Sequence, residues 1–181
     1  MHDNVKYRLE DWYKSNRISI DSSKIADVGA YNINGSTKNI ISHAIGFDIY
    51  DGEGVDVVIE PGIIPEEHIG KYNFVTSISS FQFCPEPNLY KKQITDLLCD
   101  GGFLFLSMCS DKCEKGHTSS PNIYNYGDEV RMSLTEIQNF FEEDFTIIEL
   151  TYSLDGGHSD IILKAKKNEK NRHYQSLNQE K

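Results

Sequence analysis

Apolar residues recur at Val5, Leu9, Trp12 and Tyr13, a spacing that predicts a short amphipathic helix over 5–13 lying on another element. Beyond it the rhythm changes to brief continuous apolar runs at 25–30, 44–49, 55–59, 74–78 and 103–108, each predicting a strand. Helical stretches are expected between them. One covers 36–43, and another starts at Pro65-Glu66-Glu67, where proline takes the first position and acids face the dipole. A third covers 89–99, with Tyr90, Ile94, Leu97 and Leu98 as its stripe and Gly101-Gly102 as its terminator. Ser133-Leu134-Thr135-Glu136 is a capping box, in which hydroxyl and carboxylate satisfy each other's free amides. Ile137, Phe140 and Phe141 follow as the buried face of that helix. Runs at 145–150 and 161–165, joined through Asp155-Gly156-Gly157, predict a closing antiparallel pair.

Strands that are apolar throughout, separated by helices, belong to a parallel sheet covered on both faces. The expected fold is therefore α/β: Rossmann-like and doubly wound, a mostly parallel seven-stranded sheet with an antiparallel terminal strand. Right-handed crossovers put every strand-to-helix loop at one edge. A ligand belongs at the carboxyl ends of the strands, near the switch between the first and fourth. Residues 1–23 form a helical lead-in, 24–166 the domain, and 167–181 a basic tail expected to be disordered.

The chain has 181 residues, 38% hydrophobic and 25% charged, enough for one domain with a full core. No apolar run approaches the roughly 20 residues of a membrane span. The opening Met-His-Asp-Asn-Val-Lys has no hydrophobic signal core, so the expected location is cytoplasmic. From Lys164 onward six residues are basic and two acidic, which leaves 12 bases against 26 acids in 1–163. A body at −14 repels phosphate backbones and disfavours nucleic acid as the main partner, although the basic tail could touch RNA or an acidic surface. Cys84, Cys99, Cys109 and Cys113 are expected as free thiols. Cys109, Cys113 and His117 are separated by three residues each, but zinc asks for four ligands and no fourth follows, so no metal is expected.

The chemistry lies in the loops. After the first strand comes Asp27-Val28-Gly29-Ala30-Tyr31-Asn32-Ile33-Asn34-Gly35-Ser36, whose glycines let backbone approach a ligand closely. Nineteen residues beyond Gly29, Asp48 ends the second strand, where a carboxylate can accept both hydroxyls of a ribose. Five bulky or polar residues separate Gly29 from Gly35, so the tight pyrophosphate bed of a G-x-G-x-x-G loop is missing, and there is no Walker-type G-K-[ST]. An adenosyl ligand without a pyrophosphate fits better than a nicotinamide cofactor or a nucleoside triphosphate.

On these residues the sequence resembles the class I S-adenosylmethionine-dependent methyltransferases across 24–166. The carriers, in order, are Asp27-Val28-Gly29 with Gly35-Ser36, Gly46-Phe47-Asp48-Ile49, Glu60-Pro61-Gly62-Ile63-Ile64-Pro65, Phe74-Val75-Thr76-Ser77-Ile78-Ser79-Ser80, and Asp100-Gly101-Gly102-Phe103-Leu104-Phe105. The resemblance implies S-adenosylmethionine as cofactor. Gly29 and its neighbours Ala30, Tyr31 and Gly35 would line its methionine part, with Tyr31 as a lid, and Asp27 would orient the loop. Asp48, beside Ile49, would hold the ribose, and Glu60 the adenine amino group. Pro61 has no amide to offer the adenine, so Gly62 or Ile63 would substitute. Ser77 would lie beside the sulfonium and its methyl. Gln82-Phe83 stands where many relatives have Glu-His.

The segment 110–132 carries little periodicity, and loops of that length are usually functional or disordered. His117, Tyr124 and Arg131 in it are the substrate-side candidates. The reading is methyl transfer to a small-molecule or sugar-type acceptor by in-line displacement, with no fixed catalytic residue, since a base is needed only where the nucleophile loses a proton. A non-catalytic adenosyl-binding or partner subunit is the alternative. A second copy or a partner subunit could complete the pocket.

Overall fold

A computed structural model describes residues 2–16, 21, 24–33, 35–113, 130–155 and 158–169. In chain order its regular elements are α1 (Asp3–Ser15), β1 (Ile25–Val28), β2 (Ile45–Asp48), β3 (Val57–Val58), β4 (Tyr72–Ile78), α2 (Pro87–Leu97), β5 (Leu98–Cys109), α3 (Leu134–Phe141), β6 (Phe145–Asp155) and β7 (His158–Lys167). The strands form one seven-stranded sheet in the order β3-β2-β1-β4-β5-β7-β6. β1 to β5 are parallel, and β7 runs antiparallel to both β5 and β6. The expected doubly wound sheet with an antiparallel terminal strand is what the chain forms. The switch point lies between β1 and β4.

Side chains alternate across the strands and divide the core into two layers. Ala26, Val28, Val75, Leu104, Leu106 and Leu163 face α2 and α3, where Ile94, Leu97, Ile137 and Phe141 are buried. Ile25, Phe74, Phe105 and Ile162 face α1, which buries Val5 and Leu9 completely. Burial of side chains this size contributes about 1.5–3 kcal/mol each, so the lead-in helix belongs to the same core as the sheet. Ser133 and Glu136 form the expected capping box at the start of α3.

Three expected helix features are corrected. Over 36–43 there is only a 3-10 turn, Thr37–Asn39, because Ser36 caps Lys38 and the buried Thr37 hydroxyl lies 3.2 Å from Thr76 Oγ1. At Pro65 the start yields a single 3-10 turn, Glu66–His68, before the chain enters β4. Gly101-Gly102 ends no helix: α2 stops at Leu97, and both glycines lie within β5. There the register passes from Tyr72 opposite Leu98 to Phe74 opposite Phe103, and Gly101 (φ +73°) lies in the irregular stretch. The third strand is also shorter than 55–59, reduced to Val57–Val58. Among the described residues no helix is long and apolar enough to cross a membrane.

Candidate functional site

The carboxyl ends of β1, β2 and β4 converge on a locked backbone. The N–H groups of Gly29 and Ala30 both donate to Phe47 O, at 2.9 and 3.2 Å, which turns the chain sharply out of β1. Gly29 has φ +75°, and a Cβ there would lie 2.2 Å from Ser80 Oγ and 2.8 Å from Tyr90 Oη. Only glycine fits, and what approaches it is protein. The Tyr90 hydroxyl donates to Val28 O at 2.9 Å and lies 2.6 Å from Ser80 Oγ and 2.9 Å from Ser77 Oγ. Burial pushes that phenol above its ordinary value. Ser77, at the end of β4, is fully buried, and its hydroxyl is held in this cluster. Tyr90 itself was legible only as one member of an apolar stripe. The signal was a tyrosine where phenylalanine would have packed, because a buried phenol needs a partner.

Asp48 organises the second loop. Its Oδ2 accepts the N–H of Tyr31 at 3.0 Å and its Oδ1 that of Tyr50 at 3.1 Å. An ionised carboxylate has about four lone-pair sites, so two such bonds leave capacity for a diol. The loops after β1 and β2 interlock above it. Asn32 N donates to Glu53 O at 2.8 Å, Asn32 Nδ2 to Glu53 Oε1 at 2.8 Å, and Gly35 N to Asn32 Oδ1 at 2.9 Å. The Tyr31 ring lies on Gly52, and a Cβ on Gly54 (φ +93°) would come 2.5 Å from Ala30 O. Glu53, Gly52 and Gly54 were not singled out in the sequence, since their role depends on a partner loop some twenty positions away.

Asp27 lies one layer below, fully buried on the α1 side. It accepts from Thr76 Oγ1 at 2.7 Å. Burial, with a smaller contribution from Asp48, pushes its carboxyl up to about 7 against the Thr76 and Thr37 hydroxyls and Lys38, which pull it down. Its buried side chain supports the loop from beneath.

Beyond β3, Glu60-Pro61-Gly62-Ile63 is a turn closed by Ile63 N donating to Glu60 O at 3.0 Å, with Gly62 at φ +77°. Gln93 Nε2 also donates to Glu60 O, at 3.1 Å, while the Glu60 side chain is exposed. The Ile63 amide is committed to the turn, so Gly62 is the remaining amide candidate. Ile49 and Ile63 expose apolar side chains around this corner.

On the far side of the switch point, Ser79 holds φ +53°, a strained conformation for a residue with a Cβ, and donates from its N–H to Ser107 O at 2.9 Å. Gln82 is buried; its Oε1 accepts Cys109 N–H at 3.0 Å and its O accepts Val130 N–H at 2.7 Å. Arg131 Nη1 donates to Cys113 O at 2.6 Å beside the end of β5. Cys109 and Cys113, expected as free thiols, are in disulfide contact with Cα atoms 6.3 Å apart. His117 and Tyr124 lie outside the described residues. A surface hollow of about 420 Å³ lined by Lys24, His68, Lys71 and Asn73 occurs at the amino edge of the sheet, remote from these loops.

No protein-family model matches the sequence, and no curated protein matches it. Solved structures do resemble the fold. A 1,6-didemethyltoxoflavin-N1-methyltransferase from Burkholderia thailandensis, with bound 1,6-didemethyltoxoflavin and S-adenosylhomocysteine, aligns with a TM-score of 0.66 at 10% identity, over 92% of this chain and 80% of its own. The N-methyltransferase NodS from Bradyrhizobium japonicum WM9 aligns at 0.60 and 10% identity, over 93% and 100%. The [4+2]-cyclase SpnF aligns at 0.61 and 11%, over 90% and 81%. The chain has the fold of the class I S-adenosylmethionine-dependent methyltransferases. A cyclase among the neighbours is a reminder that reaction is argued from the site.

Proposed function

We propose that the chain binds S-adenosylmethionine at the carboxyl ends of β1, β2 and β4 and transfers its methyl group to a small-molecule acceptor of the sugar or metabolite type. The observation that carries this is Asp48, half-buried and held through both oxygens by backbone N–H groups, with acceptor capacity left for a ribose diol. The residues present fit the cofactor. Glu60 offers an exposed carboxylate to an adenine amino group, the Gly62 amide lies beside it, and Ile49 and Ile63 provide apolar surface. Gly29, Ala30, Tyr31 and Gly35 supply the backbone wall, and Asp27 supports it from below. When bound, the cofactor supplies a methyl group already activated on a positively charged sulfur. The chain then has to align the nucleophile, a contribution worth up to roughly 7–11 kcal/mol, and keep water away.

Calorimetric titration with S-adenosylmethionine, followed by transfer from the methyl-labelled cofactor into a metabolite extract, tests this. Binding with transfer is expected; no binding at millimolar cofactor overturns it. Binding without transfer favours the second reading, a non-catalytic adenosyl-binding or partner subunit, to which the exposed Val58 on the edge strand β3 lends support.

A further inference from the structure

We propose that a second copy of this chain pairs antiparallel along the outer edge of β6, joining two sheets into one about a two-fold axis at Thr151. β6 is the last strand of the sheet and is bonded on one side, by β7. Among the described residues no other backbone group pairs with the strand between Thr146 and Leu154. Asn4 Nδ2 reaches Leu154 O at 3.3 Å, and a carbonyl keeps a second lone pair. The stretch Thr146-Ile147-Ile148-Glu149-Leu150-Thr151-Tyr152-Ser153-Leu154 is rich in β-branched and aromatic residues and holds no proline, glycine or lysine. Those are the residues with which chains shield a bare edge, and without them a strand of this composition recruits another. Its one charge, Glu149, is engaged on the α1 face by Arg8 Nη1 at 2.7 Å and Lys164 Nζ at 2.9 Å. Towards solvent the strand presents Ile148, 50% exposed, and Leu154, 73% exposed.

Two-fold symmetry restricts the register. Side chains alternate between the faces of a strand, and residues opposite each other share a face, so the axis passes through a residue rather than between two. The strand is regular from Glu149 to Leu154, beyond the irregularity at Ile148. An axis at Tyr152 would set Glu149 opposite the acid of Asp155, and one at Leu150 would leave Leu154 opposite Thr146. With the axis at Thr151, Leu150 faces the second copy's Tyr152, Glu149 faces its Ser153, and the two exposed apolar residues, Ile148 and Leu154, meet. No like charges are opposed, and each contact occurs twice. This match of the strand with itself selects a second copy over an unrelated strand. β6 lies four strand spacings from β1, roughly 19 Å, so the pairing leaves the loops around Asp48 open on both copies.

Sedimentation equilibrium of the full chain should show a dimer that dissociates on dilution. Ile148→Lys combined with Leu154→Lys places like charges opposite each other on both sides of the axis. It should weaken the dimer at least roughly tenfold while the far-ultraviolet circular dichroism stays that of the native chain. Thr151→Cys reads the register without a charge in the edge. Opposed residues on the axis have Cα atoms about 4.5–5.5 Å apart, within disulfide range, so oxidation with diamide should link position 151 to itself in the second copy. Peptide mapping by mass spectrometry identifies that link. A monomer at every concentration, or a dimer that the two lysines leave intact, overturns the proposal. So does a Thr151→Cys chain in which position 151 stays unlinked or is joined to Cys84 or Cys99 instead.

Discussion

The backbone N–H of Tyr31 donates to Asp48 Oδ2 at 3.0 Å, so the acid that ends β2 also fixes the course of the loop leaving β1. Asp48→Ala should therefore damage the site twice, removing the diol acceptor and releasing Tyr31. A hydrogen bond to a charged group contributes about 1.5–3 kcal/mol, so S-adenosylhomocysteine affinity should drop by roughly 10- to 100-fold in calorimetry. An unchanged affinity would show the ribose assignment to be wrong.

Tyr90→Phe keeps the ring against Phe81, whose centroid is 5.5 Å away, and deletes only the hydroxyl hub. Val28 O and the two serines lose their shared partner in a buried setting, which should cost about 1–3 kcal/mol in urea unfolding. Gly29→Ala should cost more than Tyr90→Phe, since it adds both a left-handed residue and a Cβ 2.2 Å from Ser80 Oγ. Equal midpoints for the two variants would contradict the packing described.

Asp27 gives a signed pH dependence. Its folded carboxyl titrates at about 7 against 3.8 for the ordinary group, so between those values the folded chain holds one more proton than the unfolded chain. Its contribution to stability is full below pH 4 and is lost as pH rises towards 7. Asp56, held low by Gly46 N–H and Lys38, and Glu149, held low by Lys164 and Arg8, act with the opposite sign, at more acidic pH. Over pH 5–8, Asp27→Asn should flatten the fall in urea midpoint seen in the native chain. An identical slope in both would remove Asp27 as its source.

Thiol alkylation in denaturant without reductant should modify Cys84 and Cys99 and spare Cys109 and Cys113; prior reduction should expose all four. Mass spectrometry reads the difference directly, and four reactive thiols before reduction would exclude the pairing.

Strands β1, β2, β4 and β5 were legible because buried parallel strands read as near-continuous apolar runs, interrupted here by only a few polar positions such as Asp27 and Thr76. The short crossovers were not. Residues 36–43 have enough apolar positions for a helix, and what prevents one is a bond from Thr37 to Thr76 that no local pattern records. The same division holds at the site. Asp48 was readable from its distance to Gly29, as a local consequence of a β-loop-β unit. Tyr90 as a hub depends on a contact across 62 positions. The cysteine pair was illegible for a different reason: a separation of four residues brings two thiols together only where the chain turns back after β5, which the sequence pattern does not show.

The insertion of β7 between β5 and β6 has a kinetic corollary. β6 reaches the rest of the sheet only through β7, so it cannot dock first. The hairpin must close on itself and then arrive as a unit, or wait for β7. A chain truncated before His158 would forfeit both strands at once and leave β5 as a raw apolar border, open to pairing with its neighbours in solution.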